Sequence, residues 1–382
     1  MTMVICKVLL GAMLTLFNLS TASDSRVAQE SVTGQSAAKT GGAPHIENAR
    51  MEARGVAGTL AATMADLEKN AAKPTWVGYG VRMVAGERTV CCGNYDSRVQ
   101  DCGKCALETG GDHWTNSGNA KDSTSTKLEG GEELIVLFRL QGRHVTRVKV
   151  ASDNCVLDAG GLPLVWLTGV QASESVAMLA DYVRKNNAGE DERDSIGNEA
   201  LTAIALHDGA AAQAALEGFV APAQPQELRK QASFWLGAAR GKDGLAVLQR
   251  MAKKDPSTEV RAQVAFALSV SREPAALDEM IRMAHEDESG HVRGQAIFWL
   301  AQKAGKRAVG AIDGAIENDP DTEVKKQAVF ALSQLPKDEG VPKLIQVAQT
   351  NRNPVVRKQA MFWLGQSEDA RALDFFEKVL TK

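Results

Sequence analysis

Val292-Arg293-Gly294-Gln295-Ala296-Ile297-Phe298-Trp299-Leu300 is one of five versions of the same nine residues, each opening 32 residues after the last. The others are LRKQASFWL from Leu228, VRAQVAFAL from Val260, VKKQAVFAL from Val324 and VRKQAMFWL from Val356. Positions 0, +4 and +8 are apolar in every copy and share one face of a helix that turns about 100° per residue. A second apolar set repeats in step. Leu245, Leu277, Val309, Val341 and Leu373 form one of its columns, and Leu248, Met280, Ile312, Leu344 and Phe376 another. The unit is therefore a pair of helices, and Asp255-Pro256, Asp319-Pro320 and Asn353-Pro354 punctuate the links between pairs. Proline cannot continue a helix, and Asp or Asn caps the next one. Units of this length cannot bury their apolar faces alone and must stack, which predicts an all-α solenoid. The frame extends back once to Ile196, with Ala200, Ile204, Leu216 and Phe219 on the same columns, giving about six units over residues 196–382.

The rest of the chain reads differently. Its 382 residues leave room for a second domain, and an apolar content of 44% is that of a globular protein. Net charge is −3, and residues 196–382 hold 24 basic and 24 acidic side chains, which argues against nucleic acid as a partner. Lys7 precedes the apolar run Val8–Phe17, too short to span a bilayer comfortably, and small residues follow at Ser20-Thr21-Ala22-Ser23. This is the pattern of a signal peptide over residues 1–23, and it predicts an exported, periplasmic or secreted protein; an uncleaved anchor is the alternative. No other segment suits a membrane span. Residues 24–44 read as a linker.

Export changes how the cysteines are read. Cys91, Cys92, Cys102, Cys105 and Cys155 remain after the signal. In an oxidising compartment clustered cysteines form disulfides, with structural zinc or a catalytic dithiol as alternatives. The adjacency of Cys91 and Cys92 departs from the two spaced pairs of a zinc ribbon. Residues 45–185 predict a small α+β domain. They hold a helix from Thr59, a strand at Trp76–Val84 with Gly78 and Gly80 marking a close approach, and a strand pair turning at Gly142. A further turn follows at Asp158–Gly161, and then a helix from about Ser173 to Arg184. Residues 107–132 read as loop, and 185–195 as a charged hinge.

The V-R-x-x-A-x-x-x-L helix after an Asp-Pro turn resembles the short HEAT-like repeats also found in the bacterial phycobilisome-lyase-type repeat group, over about half the chain. The front half, with Trp76-Val77-Gly78-Tyr79, Cys91-Cys92 and Cys155–Gly161, is similar to N-terminal regions of exported bacterial HEAT-repeat proteins. The resemblance implies that the V-R helices line the concave side and that their basic residue pairs with a loop acid. It implies no activity.

Four columns of the repeated helix bear on binding. Gln231, Gln263, Gln295, Gln327 and Gln359 form an amide ladder suited to bonds between repeats or to a ligand. The basic column, with Arg293, Lys325 and Arg357, would either attract an acidic partner or pair with the acids beside it, Asp255, Glu259, Asp287, Asp319 and Glu323. The Phe column, with Phe298 and Phe330, is read at about 120° from the core stripe. The +5 column, with Ile297, Val329 and Met361, is read as pointing further out. Together with the edges of the Phe column it is the candidate partner strip, with simple packing between stacked helices as the alternative. Trp235, Ala267, Trp299, Ala331 and Trp363 alternate large with small, as close packing of layers requires.

The six histidines form no metal motif, and there is no nucleophile elbow or phosphate loop. No catalytic residue, metal ligand or cofactor is expected, and the oligomeric state is not indicated. The expected function is an exported scaffold that binds a protein or peptide along the solenoid. The alternatives are a redox or zinc-binding front module that the solenoid positions, and a purely structural envelope protein.

Overall fold

Leu134 to Phe138 is an unbroken apolar run, and such a strand needs cover on both faces of its sheet. The computed structural model shows how that cover is built. It describes residues 45–86, 90–91, 94–95, 105–108, 132–186 and 196–381. The expected signal, the linker, residues 187–195, Cys92, Cys102 and most of the loop over 107–132 lie outside the described residues.

The front part holds strands β1 (Ile46–Glu47), β2 (Arg50–Gly55), β3 (Thr75–Arg82), β4 (Val90–Cys91), β5 (Asn94–Tyr95) and β6 (Cys105–Ala106). They are followed by β7 (Glu133–Gln141), β8 (His144–Ser152), β9 (Leu157–Asp158) and β10 (Pro163–Thr168). Helices α1 (Leu60–Asn70) and α2 (Ala172–Lys185) complete it. The main sheet runs β2-β10-β3-β7-β8, with β10 parallel to both β2 and β3 and the rest antiparallel. The β7–β8 turn falls where Gly142 marks it, with Gly142 and Arg143 both at positive φ, which a tight hairpin turn demands.

One face of the sheet is covered by α1 and α2 through Leu60, Met64, Val176 and Leu179. The other carries Trp76, Ile135, Leu137, Leu164 and Trp166, closed over by Cys105, Cys155 and Leu157 around β6 and β9. Gly78 is where the chain must be bare. A Cβ there would lie 2.7 Å from a Leu137 methyl and 3.2 Å from the Trp166 ring, so the close approach expected at this glycine is made by an indole.

Six helix pairs follow: α3 (Ile196–Leu206) with α4 (Ala210–Phe219), α5 (Gln226–Ala239) with α6 (Gly241–Lys254), and α7 (Thr258–Val270) with α8 (Ala275–Glu286). Then come α9 (Gly290–Ala304) with α10 (Val309–Asn318), α11 (Thr322–Gln334) with α12 (Lys337–Thr350), and α13 (Pro354–Gly365) with α14 (Ala370–Leu380). Of the three residues expected to cap the next helix only Asn353 does so; Asp255 and Asp319 end the preceding helices, and the caps of α7 and α11 fall two residues later, at Ser257 and Asp321. Ser257 Oγ accepts from Val260 N–H, Asp321 from Glu323 N–H and Asn353 from Val355 N–H, each satisfying an orphan donor of the first turn. The helices of the repeated motif, α5, α7, α9, α11 and α13, pack more extensively on one another than their partner helices do.

A single apolar core runs from Leu60 of α1 through α3 and along the whole stack to Phe375. The cap unit makes that continuity, because α3 packs on both α2 and β8. Among the described residues no helix is long and apolar enough to cross a membrane.

Candidate functional site: an aromatic spine on the motif helices

The basic column is built into the stack. Arg229 grips Asp255, Arg261 grips Asp287 and Arg293 grips Asp319, each an arginine holding the acid 26 residues on, in the next link. Arg293 donates to both Asp319 oxygens at 2.7 and 2.9 Å and, at 2.8 Å, to the Asp287 carbonyl. The same aspartates turn the chain: Asp255, Asp287 and Asp319 accept from the N–H groups of Ser257, Ser289 and Asp321. Each acid thus caps its own link and ties down the repeat before it. Burial alone would raise the Asp319 carboxyl, but the bonds from Arg293 and from Asp321 N–H overcome it and hold the group below its usual range.

In the fourth motif both partners change. Asn351 stands where the aspartate would be, and Lys325, in place of the arginine, donates to the Glu317 carbonyl at 2.8 Å. Arg357 donates to the carbonyls of Asn351 and Arg352. Arg293, Lys325 and Arg357 thus make internal bonds, Arg293 to an acid and the other two to backbone carbonyls, the second of the two readings the sequence left open.

The +5 column is corrected. Ile297 and Val329 are 0% exposed, Met361 is half-buried, and the first two are sealed between helices. The error lay in locating the centre of the stripe. Positions 0, +4 and +8 average near +4, which leaves +5 about 100° away and the Phe column at +6 about 160° away. The Phe column is the outward one.

On that column the rings touch in an unbroken chain. Trp235 meets Phe234 at 5.1 Å between centroids, Phe234 meets Phe266 at 5.8 Å, and Phe266 meets Trp299 at 4.6 Å. Trp299 meets Phe298 at 4.9 Å, Phe298 meets Phe330 at 6.0 Å, Phe330 meets Trp363 at 4.8 Å, and Trp363 meets Phe362 at 5.0 Å. Each of these contacts is worth about 0.5–1.5 kcal/mol beyond the area it buries. The alternation of Trp with Ala acquires a reason here. Trp299 and Trp363 each reach back to the Phe of the preceding repeat, where Ala267 and Ala331 occupy the Trp column.

The rings from Trp235 to Trp363 are half-buried, and Phe362 is 55% exposed. The amide ladder runs beside them, also half-buried. The side-chain oxygens of Gln231 and Gln327 and the indole nitrogen of Trp363 are shielded from water without a hydrogen-bond partner. At its start the spine borders an open groove of about 300 Å³ whose lining is mostly polar, with Asn198, Thr202, Glu227, Lys230, Gln231 and Gln263 around Leu201, Phe234 and Trp235.

Cys105 and Cys155 lie on the far face of the sheet. Cys91 ends β4, Cys105 opens β6 and is 3% exposed, and Cys155 is 1% exposed. Cys155 Sγ sits 3.0 Å from the Val90 carbonyl and 3.5 Å from Ser152 Oγ, so β4 is brought against it.

A buried polar chain escaped the sequence reading. Tyr79, on β3, lies 2.7 Å from Ser175 Oγ on α2, which lies 2.8 Å from His207 Nε2 at the end of α3. His207 Nδ1 faces the Ala203 carbonyl at 2.7 Å and must donate to it, so Nε2 accepts from Ser175 and Ser175 accepts from Tyr79. A serine within reach of a histidine is the arrangement of an activated nucleophile. Tyr79, Ser175 and His207 are each 0% exposed, however, and the chain joins sheet, helix and solenoid instead of facing a substrate. Burial pushes the His207 imidazole down to about 4 against a smaller opposing effect of the Ala203 bond, and it raises the Tyr79 hydroxyl. Nothing in the spacing of these three residues signals the contact.

Comparison with known proteins bears on the helical part. Residues 212–301 and 310–382 match the family model for HEAT repeats. The architecture is thus an α/β region followed by a HEAT solenoid. None of the curated proteins compared with the chain matches it. Among solved structures, human deoxyhypusine hydroxylase in complex with glycerol is similar at 15% identity and a TM-score of 0.25, over 54% of this chain and 90% of that one. A structure of Kap95p, whose binding induces the switch loops of RanGDP to adopt the GTP-bound conformation, is similar at 16% identity and a TM-score of 0.32. That match covers 55% of this chain and about a third, 32%, of the other.

Proposed function

We propose that this chain is an exported scaffold whose solenoid binds a protein or peptide along the motif helices. The observation that carries the reading is the unbroken aromatic spine, half-buried along the motif helices. Aromatic side chains with accessible edges are the usual anchors of an interface, and a contiguous line of them is an apolar feature that soluble surfaces otherwise avoid. The basic residues act inside the stack and contribute through its rigidity. Phe298 and Phe330 are the central contacts, with Gln295 and Gln327 beside them.

The front domain is held as the rigid base of this solenoid. The disulfide-bonded state of Cys105 and Cys155 supports a disulfide framework on the far face of the sheet and, with the leader-like start of the chain, an oxidising compartment. Two measurements test the reading on the full chain. Pull-down from the exported fraction, read by mass spectrometry, is expected to retain a partner with the unaltered chain and to lose it with Phe298→Ser and Phe330→Ser combined. Retention by that variant would move the binding elsewhere. Fractionation with N-terminal sequencing is expected to find the mature chain outside the cytoplasm and beginning near residue 24; a cytoplasmic chain beginning at Met1 would refute export.

A further inference from the structure

The last helix pair breaks the rule that the other pairs keep. Among the described residues six large apolar side chains are exposed, and five of them, Val355, Phe362, Leu373, Val379 and Leu380, lie on α13 and α14. A solenoid stays soluble when its terminal unit turns a polar face to water. This pair does the reverse. Val355 stands where the earlier motifs carry Glu227, Glu259, His291 and Glu323. The column that ends in Leu373 is buried at Leu277 and Val341, and the column that ends in Leu380 is buried at Ala284 and Ala348. Leu373 is 70% exposed and Leu380 84%.

Contacts between earlier pairs show which columns meet the pair that follows. Gly294 lies against the Gln327 side chain, and Asp313 holds Lys343, each across one step of the repeat. Two steps on from Gly294 and Asp313 stand Lys358 on α13 and Glu377 on α14. Both are exposed, and neither makes an ion pair among the described residues. The end face therefore carries a cation on one helix, an anion on the other and apolar side chains on both.

Such a face is shaped to stack on another helix pair. The first pair of a second copy is not open to it, because α3 packs on α2 and β8 and the solenoid is closed there by its own sheet. The same end of a second copy is open, and a surface that meets itself does so about a two-fold axis. With the axis parallel to the helices and between them, α13 of one copy lies over α14 of the other. Opposite charges then meet twice.

We propose that the chain forms a two-fold dimer through α13 and α14, with Phe362, Leu373 and Leu380 covered at the contact and Lys358 of each copy paired with Glu377 of the other. The dimer does not depend on the aromatic spine being a binding face. It joins two solenoids at their free ends, so that each assembly presents two spines.

Sedimentation equilibrium of the full chain over a broad range of concentration is expected to show a reversible shift from one chain to two. Leu373→Glu sets a charge into the apolar contact and should weaken association by at least about tenfold. The site is open to solvent in the single chain, so the fold is kept, which far-UV circular dichroism checks. Lys358→Glu and Glu377→Lys should each weaken association severalfold, and the two together should restore it, because the reversed charges meet across the axis again. Hydrogen exchange gives a second reading: α14 is the least protected helix of the dilute chain and gains protection as the dimer forms. The proposal is overturned by a chain that stays single at every concentration, by growth into open-ended assemblies, or by a dimer indifferent to Leu373→Glu or to the charge reversals. Failure of the double reversal to repair the single ones would overturn it too.

Discussion

At the scale of single residues, the arginine–aspartate bonds and the buried histidine set the energetics. Arg293 is 8% exposed and fully engaged with Asp319, so truncating it strands a buried carboxylate. Arg293→Ala should cost about 3–5 kcal/mol in urea unfolding, whereas replacing both Arg293 and Asp319 by leucine should cost clearly less. A double-mutant cycle on the two positions checks this. The Asp319 carboxyl is depressed in the folded state, so its contribution is complete above the unfolded value and is lost as pH falls through the folded one. His207 has a depressed value for the opposite chemical reason, since its neutral form is the one that fits. Its contribution is full above about 6.5, the ordinary value, and fades as pH falls toward 4, a change on the order of 3 kcal/mol. Protonation would reverse the donor order at Ser175 and leave the Tyr79 proton without an acceptor in the core. The midpoint of urea unfolding should therefore drop between pH 6.5 and 4, and His207→Gln should flatten that drop.

At the scale of elements, two glycines report how closely the helices approach. A Cβ on Gly237, in α5, would lie 2.1 Å from the Ala267 carbonyl oxygen of α7, and backbone cannot move aside as a flexible side chain can. Gly237→Ala should destabilise by about 1–3 kcal/mol through overpacking. Gly310, in α10, meets nothing within 4 Å, so Gly310→Ala should be neutral or stabilise by up to about 1 kcal/mol. Thermal and urea unfolding of the pair separate crowding from helix propensity. The repeated helices were plain in the sequence because five copies in register average out local exceptions. Strands β2 and β10 were not: Arg50–Gly55 is largely exposed and carries no alternation, and Pro163–Thr168 is too short for a period of two to declare itself. Both owe their place to pairing with each other and with β3, a long-range fact.

At the scale of the whole molecule, stability should grade along the stack. The apolar core is continuous from the sheet into the first repeats, and the last pair is the least covered, with Leu373 70% exposed and Leu380 84% exposed. Solenoids add stability by nearest-neighbour contacts, so a helix with one neighbour opens first. Native-state hydrogen exchange should find the amides of α14 least protected and those of α3, α5 and α7 most. Uniform protection from α3 to α14 would show a unit more cooperative than its contacts suggest.

The sequence by itself determined the six helix pairs, the sheet hairpin and the identity of every column, because periodicity and turn chemistry are local and repeat 32 residues apart. It also supplied the aspartates that the basic column uses. Only the tertiary structure decided which columns face out. A helix wheel gives angles about one axis, whereas burial depends on where neighbouring helices sit, and those cover Ile297 and Val329 while leaving the Phe column only half-buried. The same holds for the chain of Tyr79, Ser175 and His207. Its members lie 96 and 32 residues apart, and only the docking of the first repeat on the sheet brings them within hydrogen-bond reach.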